Sequence, residues 1–158
     1  MRLHSSMLAG GMIVFAIFAC NTSNNNNSNN NSNNNSNSNG SNRSANAEVY
    51  VDQIHMAKDE NGDAGASTTT FAPGDRTVHV VITLNKAKAG TQVRVVWTAA
   101  DVEGTKNKEL KTLDYTTTAF DKNIPGYLKW SQDWPRGDYK VDVYINGVLD
   151  KTINYTVD

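Results

Sequence analysis

The feature that most constrains the fold is an alternation of apolar and polar residues with a period of two, which runs through residues 48–158. Strand side chains point alternately to opposite faces of a sheet, so this period is typical of strands with one buried face. No window of the region carries an apolar stripe of helical period. Turn signals such as Pro125-Gly126 and Asn146-Gly147 separate the alternating segments. The pattern therefore predicts one all-β domain over residues 48–158.

Seven strands are predicted, and their spacing favours an antiparallel sandwich. They cover Glu48–Ala57, Thr77–Leu84, Gln92–Ala99, Glu109–Thr117, Tyr127–Trp130, Tyr139–Ile145 and Val148–Val157. The parity of the apolar residues assigns the inward faces of the second, third and sixth strands. These faces carry Val78, Val80, Ile82 and Leu84; Val93, Val95 and Trp97; and Tyr139, Val141 and Val143.

Several of these residues resemble those of immunoglobulin-like domains. Trp97 stands where such domains keep a buried tryptophan, and Tyr139 precedes Val141 by two residues, as the tyrosine of their tyrosine corner precedes the second cysteine. The segments Phe71-Ala72-Pro73-Gly74-Asp75 and Trp134-Pro135-Arg136-Gly137-Asp138-Tyr139 resemble immunoglobulin-like modules of bacterial envelope proteins. The resemblance implies an immunoglobulin-like sandwich in which aliphatic packing replaces the disulfide. It implies no particular activity.

Residues 1–19 have the order of a secretory signal peptide. Arg2 and His4 precede an apolar run from Met7 to Ala19, and the small Ala19 stands directly before Cys20. The run is shorter than the roughly 20 residues that span a bilayer, which disfavours a retained transmembrane helix. We therefore predict that the protein is exported and that residues 1–19 are removed.

The segment Ile17-Phe18-Ala19-Cys20 resembles the lipobox of bacterial lipoproteins, in which the cysteine thiol receives a diacylglyceryl group and the signal is cut just before it. Cys20 is the only cysteine, so no intramolecular disulfide can form. The resemblance implies a membrane anchor at Cys20. With Asn21 as the next residue, it also implies a location at the outer membrane or cell surface. The alternative is a cysteine that merely ends the apolar run.

Residues 21–47 consist almost entirely of Asn and Ser, and Arg43 is their one charged residue. The segment has no aromatic or large aliphatic side chain to bury against the entropy of ordering it. We therefore predict that residues 20–47 are a lipidated cysteine followed by a disordered tether.

Charge and residue type argue against several function classes. The formal net charge of -1 shows none of the basic excess of a nucleic-acid-binding protein. Outside the signal peptide the only histidines are His55 and His79, and no recognisable nucleophile or carboxylate pair accompanies them. We predict a protein that is not an enzyme and that has no cofactor and no nucleic-acid partner.

One motif has the spacing of a calcium-binding loop. Asp59, Asn61 and Asp63 follow the one-three-five pattern, but Ala64 stands where the turn glycine belongs and Thr70 where the bidentate Glu belongs. The motif therefore predicts a solvated turn and no metal.

Two sets of residues are candidates for binding. Trp130 and Trp134, with Tyr127, could stack on sugar rings or enter a protein pocket if they are exposed, whereas the alternative is packing in the core. The second set is the outward face of the third and sixth strands, which mixes apolar area with both charge signs. It comprises Arg94, Val96, Thr98, Lys140, Asp142 and Tyr144. Outer faces of sandwiches without a partner can have the same composition.

The leading function is that of a non-catalytic, membrane-anchored lipoprotein whose sandwich binds or scaffolds another envelope or cell-surface component, either protein or polysaccharide. The alternative is a carbohydrate-binding module that uses the exposed aromatic residues.

The last hairpin is predicted to deviate from the simple two-residue turn that Asn-Gly usually indicates. A two-residue loop with regular pairing would turn Asp150 and Thr152 toward the core, whereas a three-residue loop, Ile145-Asn146-Gly147, avoids this. The three-residue loop places Gly147 at positive φ and pairs Tyr144 with Val148. It turns four residues of the last strand inward: Leu149, Ile153, Tyr155 and Val157.

Overall fold

Nine β-strands run through residues 47–158, the part of the chain that the computed structural model describes. They are β1 (Val51–Glu60), β2 (Asp63–Ser67), β3 (Thr70–Phe71), β4 (Thr77–Leu84), β5 (Gln92–Val102), β6 (Thr105–Thr116), β7 (Asn123–Lys129), β8 (Gly137–Ile145) and β9 (Val148–Val157). The predicted signal peptide, the predicted lipidation site Cys20 and the tether as far as Asn46 lie outside the described residues.

The strands form two sheets that pack as a sandwich. One sheet has the order β2-β1-β4-β7 and the other the order β3-β9-β8-β5-β6. Every neighbouring pair is antiparallel except β3 with β9. The predicted all-β sandwich is therefore confirmed.

The two strands that the sequence did not predict are the short β2 and β3. Asn61 and Gly62 both have positive φ, 56° and 97°, and make a two-residue turn that joins β1 to β2. Asp59 Oδ2 accepts a hydrogen bond of 3.3 Å from the Gly62 N–H. The residues with calcium-loop spacing therefore belong to a hairpin turn. Strand β2 was not predicted because its polar sequence has no buried face and so no apolar alternation.

The core lies between the sheets, where the predicted inward faces of β4, β5 and β8 are all buried. Trp97 on β5 is fully buried, as expected from its position. It has room because Gly126 stands opposite on β7: a Cβ at Gly126 would lie 3.1 Å from the Trp97 ring and 3.1 Å from Val80. The missing side chain on one sheet therefore accommodates the largest side chain on the other.

The tyrosine corner is also confirmed. The Tyr139 hydroxyl donates a 2.7 Å hydrogen bond to the carbonyl oxygen of Pro135, four residues upstream. This bond ties the start of β8 to the segment that precedes it.

The prediction for the last hairpin was wrong. Ile145 pairs with Val148 across a two-residue turn, in which Asn146 and Gly147 have φ values of 50° and 84°. Only the positive φ of Gly147 agrees with the three-residue loop. The register is corrected two residues later, by a bulge on β9.

The bulge inserts one extra residue into β9. Tyr144 pairs with Leu149 but Val143 pairs with Lys151, so Asp150 has no partner residue across the ladder. Because the insertion shifts the parity of everything after it, Ile153, Tyr155 and Val157 are buried as predicted. Leu149 is only half-buried, and Asp150 is the residue that turns inward.

Candidate binding surface

The outer face of the five-stranded sheet brings together the six residues that the sequence analysis placed there. In the β5–β8 ladder Arg94 pairs with Tyr144, Val96 with Asp142 and Thr98 with Lys140. Residues directly opposite each other in neighbouring strands have side chains on the same face. These six residues, which we call the β5–β8 face, therefore form one continuous surface.

An ion pair extends the β5–β8 face onto β6. Arg94 Nε lies 2.6 Å from Asp114 Oδ1, and its Nη2 lies 3.2 Å from Oδ2, so the guanidinium holds both carboxylate oxygens. Hydrogen bonding to Arg94 lowers the pKa of the Asp114 carboxyl below its usual range. Both side chains remain more than half exposed, at 58% and 63%. The pair therefore presents both charge signs to solvent.

The ion pair borders a shallow depression in this face. Val96 and Tyr144 contribute its apolar part, and Glu109, Thr112 and Tyr115 contribute its polar part. The depression thus places apolar and polar side chains next to the Arg94–Asp114 pair.

Asp142 points outward from β8 as predicted, but its side chain is only 9% exposed, so it is not the accessible binding residue that was expected. Thr152 donates a 2.6 Å hydrogen bond to its Oδ1, and Lys140 Nζ lies 2.9 Å from its Oδ2. Asp142 therefore organises its neighbours and offers little surface of its own. Thr98 is buried as well. The exposed contacts of the β5–β8 face come from Arg94 and, in part, from Val96, Lys140 and Tyr144.

The tryptophan platform is not formed. Trp134 is 2% exposed, and its ring stacks on Trp130 at 5.2 Å with an interplanar angle of 27°. Stacked rings cover each other's faces, whereas a sugar platform needs exposed faces side by side. Tyr127, which is 54% exposed, lies instead on the outer face of the four-stranded sheet beside His79. Trp134 is packed at the end of the sandwich, which was the alternative to an exposed binding residue.

His79 points outward from β4 as its parity predicts, yet it is 4% exposed. Its Nε2 lies 2.7 Å from Asp59 Oδ1, and this hydrogen bond lowers the pKa of the Asp59 carboxyl. The pair ties β4 to the β1–β2 hairpin. Among residues 47–158 no group of three or more His, Cys, Asp or Glu side chains could hold a metal ion. No helix in the same residues could cross a membrane.

The burial of Asp150, which is 2% exposed, was not predicted from the sequence. The available signal was the run Val148-Leu149-Asp150, where two consecutive apolar residues interrupt the alternation of β9. Such an interruption is typical of a bulge, and bulges re-aim side chains.

The two packed, mainly antiparallel sheets, the buried Trp97 and the tyrosine corner define an immunoglobulin-like sandwich. The fold is similar to the crystal structure of an immunoglobulin-like protein from Pseudomonas aeruginosa, with a TM-score of 0.52 and 14% sequence identity. The match covers 73% of this chain and 100% of that protein. No protein-family model matches the sequence, and no curated protein matches it. The likeness establishes the fold and carries no function.

Proposed function

We propose that the protein is a non-catalytic lipoprotein, anchored to a membrane through Cys20, whose β5–β8 face binds another protein of the envelope or cell surface. The observation that supports this function is the register of β5 with β8, which gathers Arg94, Val96 and Tyr144 on one exposed face. An aromatic ring, an apolar side chain and a charged group within one patch are the composition of protein interfaces.

A protein is the partner that this chemistry favours. Arg and Tyr are enriched among the residues that contribute most to protein binding, and Arg94 and Tyr144 are cross-strand neighbours here. The exposed pair of Arg94 with Asp114 can exchange its partners for opposite charges on an approaching surface. A polysaccharide would need exposed aromatic faces, and the two stacked tryptophans do not provide them.

The anchor is tested by labelling. Cells that express the wild type should incorporate a radiolabelled fatty acid into the protein, and cells that express Cys20→Ser should not. Equal labelling of the two proteins would refute lipidation and would leave the binding face untouched as a hypothesis.

The binding face is tested by site-specific crosslinking in intact cells. A photoreactive amino acid at position 144 should give a discrete protein adduct, whereas the same group at Thr83, on the outer face of the other sheet, should not. Arg94→Glu should remove the adduct at position 144, because it reverses the charge of the neighbouring residue. Identical adducts at both positions, or no adduct at position 144, would contradict the proposal.

A further inference from the structure

The most exposed large apolar side chain among residues 47–158 is that of Phe120, which is 91% exposed. It belongs to the loop of residues 117–122, which joins β6 to β7. Val148 is 51% exposed at the same end of the sandwich, where β9 begins. Single apolar residues are common on protein surfaces, so the significance of Phe120 depends on how its loop holds it and on what surrounds it.

Hydrogen bonds within the loop keep the phenyl ring on the outside. Asp121 Oδ2 accepts hydrogen bonds from the Thr118 N–H at 2.6 Å and from the Tyr115 hydroxyl at 2.7 Å. The Phe120 N–H donates to the Thr118 hydroxyl at 3.3 Å, and the Lys122 N–H donates to the Phe120 carbonyl oxygen at 3.0 Å. The acidic side chain of the loop is therefore turned back toward β6, whereas the phenyl ring is directed into solvent.

The β4–β5 loop lies against this loop and brings lysines to the same end. The Gly90 N–H donates a 2.8 Å hydrogen bond to the Thr117 carbonyl oxygen, which joins the two loops. Lys86 and Lys88 each form an ion pair with the Glu48 carboxylate. Their side chains are still about half exposed, at 48% and 49%. One carboxylate shared by two ammonium groups leaves a positive charge unbalanced.

The loops at this end have a small basic excess beside the exposed ring. Residues 47–50, 85–91 and 117–122 together contain three lysines, Lys86, Lys88 and Lys122, and two acidic residues, Glu48 and Asp121. An apolar ring can enter the boundary between lipid headgroups and acyl chains, and lysines near a membrane surface are attracted to anionic headgroups. The composition of this end therefore fits a lipid surface.

The described part of the chain begins at the same end. Ala47 and Val49 line a cavity between the β4–β5 loop and the β8–β9 turn. Only the 26 residues numbered 21–46 separate this entry point from Cys20, the predicted lipidation site. An anchor at Cys20 would therefore lead directly into the end of the domain that carries Phe120 and the lysines.

We propose that this end of the domain docks on the membrane that holds the anchor, with the Phe120 ring at the boundary between headgroups and acyl chains and with Lys86, Lys88 and Lys122 facing lipid phosphates. The proposal rests on the lipid anchor of the proposed function, because one ring and a small basic excess bind a membrane only weakly by themselves. Attachment through the anchor raises the effective concentration of the membrane surface, so that a weak contact becomes populated. The domain then has a preferred orientation on the membrane.

The docking is tested by photocrosslinking the full chain in intact cells, with p-benzoylphenylalanine in place of Phe120. Irradiation should join the probe to a phospholipid, which mass spectrometry detects as a lipid adduct on the peptide that contains position 120. The same probe in place of Tyr127, which is 54% exposed on the outer face of the four-stranded sheet, should give no more than about a tenth of that adduct. Equal lipid adducts at the two positions, or a protein adduct alone at position 120, would overturn the proposal.

Two lysine variants test the contribution of charge, with the probe kept at position 120. Lys122→Glu should lower the yield of lipid adduct about fivefold, because it reverses a charge that faces the headgroups. Lys108→Glu changes an exposed lysine on β6 away from this end and should leave the yield unchanged. Equal yields from the two variants would contradict the assignment of the lysines to lipid headgroups.

Incorporation of a radiolabelled fatty acid, followed in the same cells, separates this proposal from the anchor. A labelled protein that gives no lipid adduct at position 120 would overturn the docking and leave the anchor intact. An unlabelled protein without the adduct would contradict both. The comparison of positions 120 and 127 exchanges exposed aromatic residues for a larger aromatic residue, so it does not depend on a substitution in the core.

Discussion

The two ends of the sandwich differ in residue composition. At the end where β8 begins, Trp130, Trp134, Tyr139, Tyr155 and Phe71 form an unbroken chain of ring contacts, with centroid separations between 5.2 and 5.5 Å. At the end where β9 begins, aliphatic, small and charged residues line a cavity beside the buried carboxylate of Asp150, and no aromatic ring is among them. We call these the aromatic end and the cavity end.

The difference indicates that the two ends contribute differently to the stability of the domain. Aromatic rings bury large areas and hold one another in defined geometries, so the aromatic end should contribute most to the free energy of unfolding. The cavity end carries the exposed Arg94–Asp114 pair. Buried polar atoms without a hydrogen-bond partner occur at both ends among the described residues: Asp150 Oδ1 at the cavity end, and Trp134 Nε1 and the Tyr155 hydroxyl at the aromatic end. Substitutions at the two ends should therefore differ in their effect on the free energy of unfolding.

The largest effect is expected from Trp134→Ala. Removing this buried ring deletes the contacts of Trp134 with both Trp130 and Tyr139 and should lower the free energy of unfolding by about 3–5 kcal/mol in chemical denaturation. Trp130→Ala is the matched control, because Trp130 is only partly buried and should cost less. Equal losses in the two variants would show that the aromatic end is not organised around Trp134.

A pair of identical substitutions compares the two ends along one strand. Val157 on β9 is 1% exposed at the aromatic end, whereas Val148 is 51% exposed at the cavity end. Val157→Ala should cost roughly 2 kcal/mol from the lost burial of two methyl groups. Val148→Ala should change the free energy of unfolding by less than about 0.5 kcal/mol. A larger cost at Val148 would reverse the comparison.

Tyr139→Phe should cost about 1 kcal/mol, because it removes the hydrogen bond to Pro135 and keeps the ring. Tyr115→Phe serves as a control, since the Tyr115 hydroxyl bonds Asp121 at an exposed position and should cost less. Both losses can be read from denaturation curves at neutral pH. A cost at Tyr115 equal to that at Tyr139 would contradict the expectation that the less exposed of the two hydrogen bonds contributes more to stability.

Tyr139 also predicts an alkaline dependence. Burial, with a contribution from Glu103, raises the pKa of Tyr139 to about 12, and burial raises the pKa of Tyr155 as well. An unfolded tyrosine ionises near pH 10, so its contribution to stability is complete below that pH and falls as the pH rises from about 10 to about 12. Tyr139→Phe should reduce this alkaline loss, measured as Tm against pH. An unchanged slope would show that Tyr139 is not the titrating group.

The smallest effect is expected from Asp114→Asn at the cavity end. It breaks the bidentate pair with Arg94, but the pair is exposed, and exposed ion pairs contribute little to stability. The Tm should stay within repeat measurements of the wild-type value. A decrease as large as that of Tyr139→Phe would mean that the Arg94–Asp114 pair contributes to the stability of the fold.

The fold class could be predicted because it depends on local pattern. The period of two in β4, β5 and β8 assigned the inward faces correctly, since each residue's face follows from its neighbours along the strand. Trp97 and Tyr139 also lay where their positions predicted. Strand β2 was missed because its residues are exposed on both faces and leave no alternation to detect.

The candidate sites were predictable only in part. The six residues of the β5–β8 face follow from parity and from the pairing of β5 with β8. The burial of Asp142 could not be predicted, because it depends on Lys140 and on Thr152, which a bulged register places beside it. The stacking of Trp130 on Trp134 likewise depends on how the loop folds onto the end of the sheets.

The sequence alone thus determined which residues alternate, where the chain turns and which faces are apolar, because these properties are local. Only the tertiary structure decided the register of β9, because two local solutions competed there. A three-residue loop and a two-residue turn followed by a bulge both turn Ile153 and Tyr155 inward. The second solution places the carboxylate of Asp150 at the edge of the core, and burying it has an unfavourable free energy. The hydrogen bond from the backbone N–H of Val51, which is 99 residues away in the chain, partly offsets this cost, and the local pattern gives no sign of it.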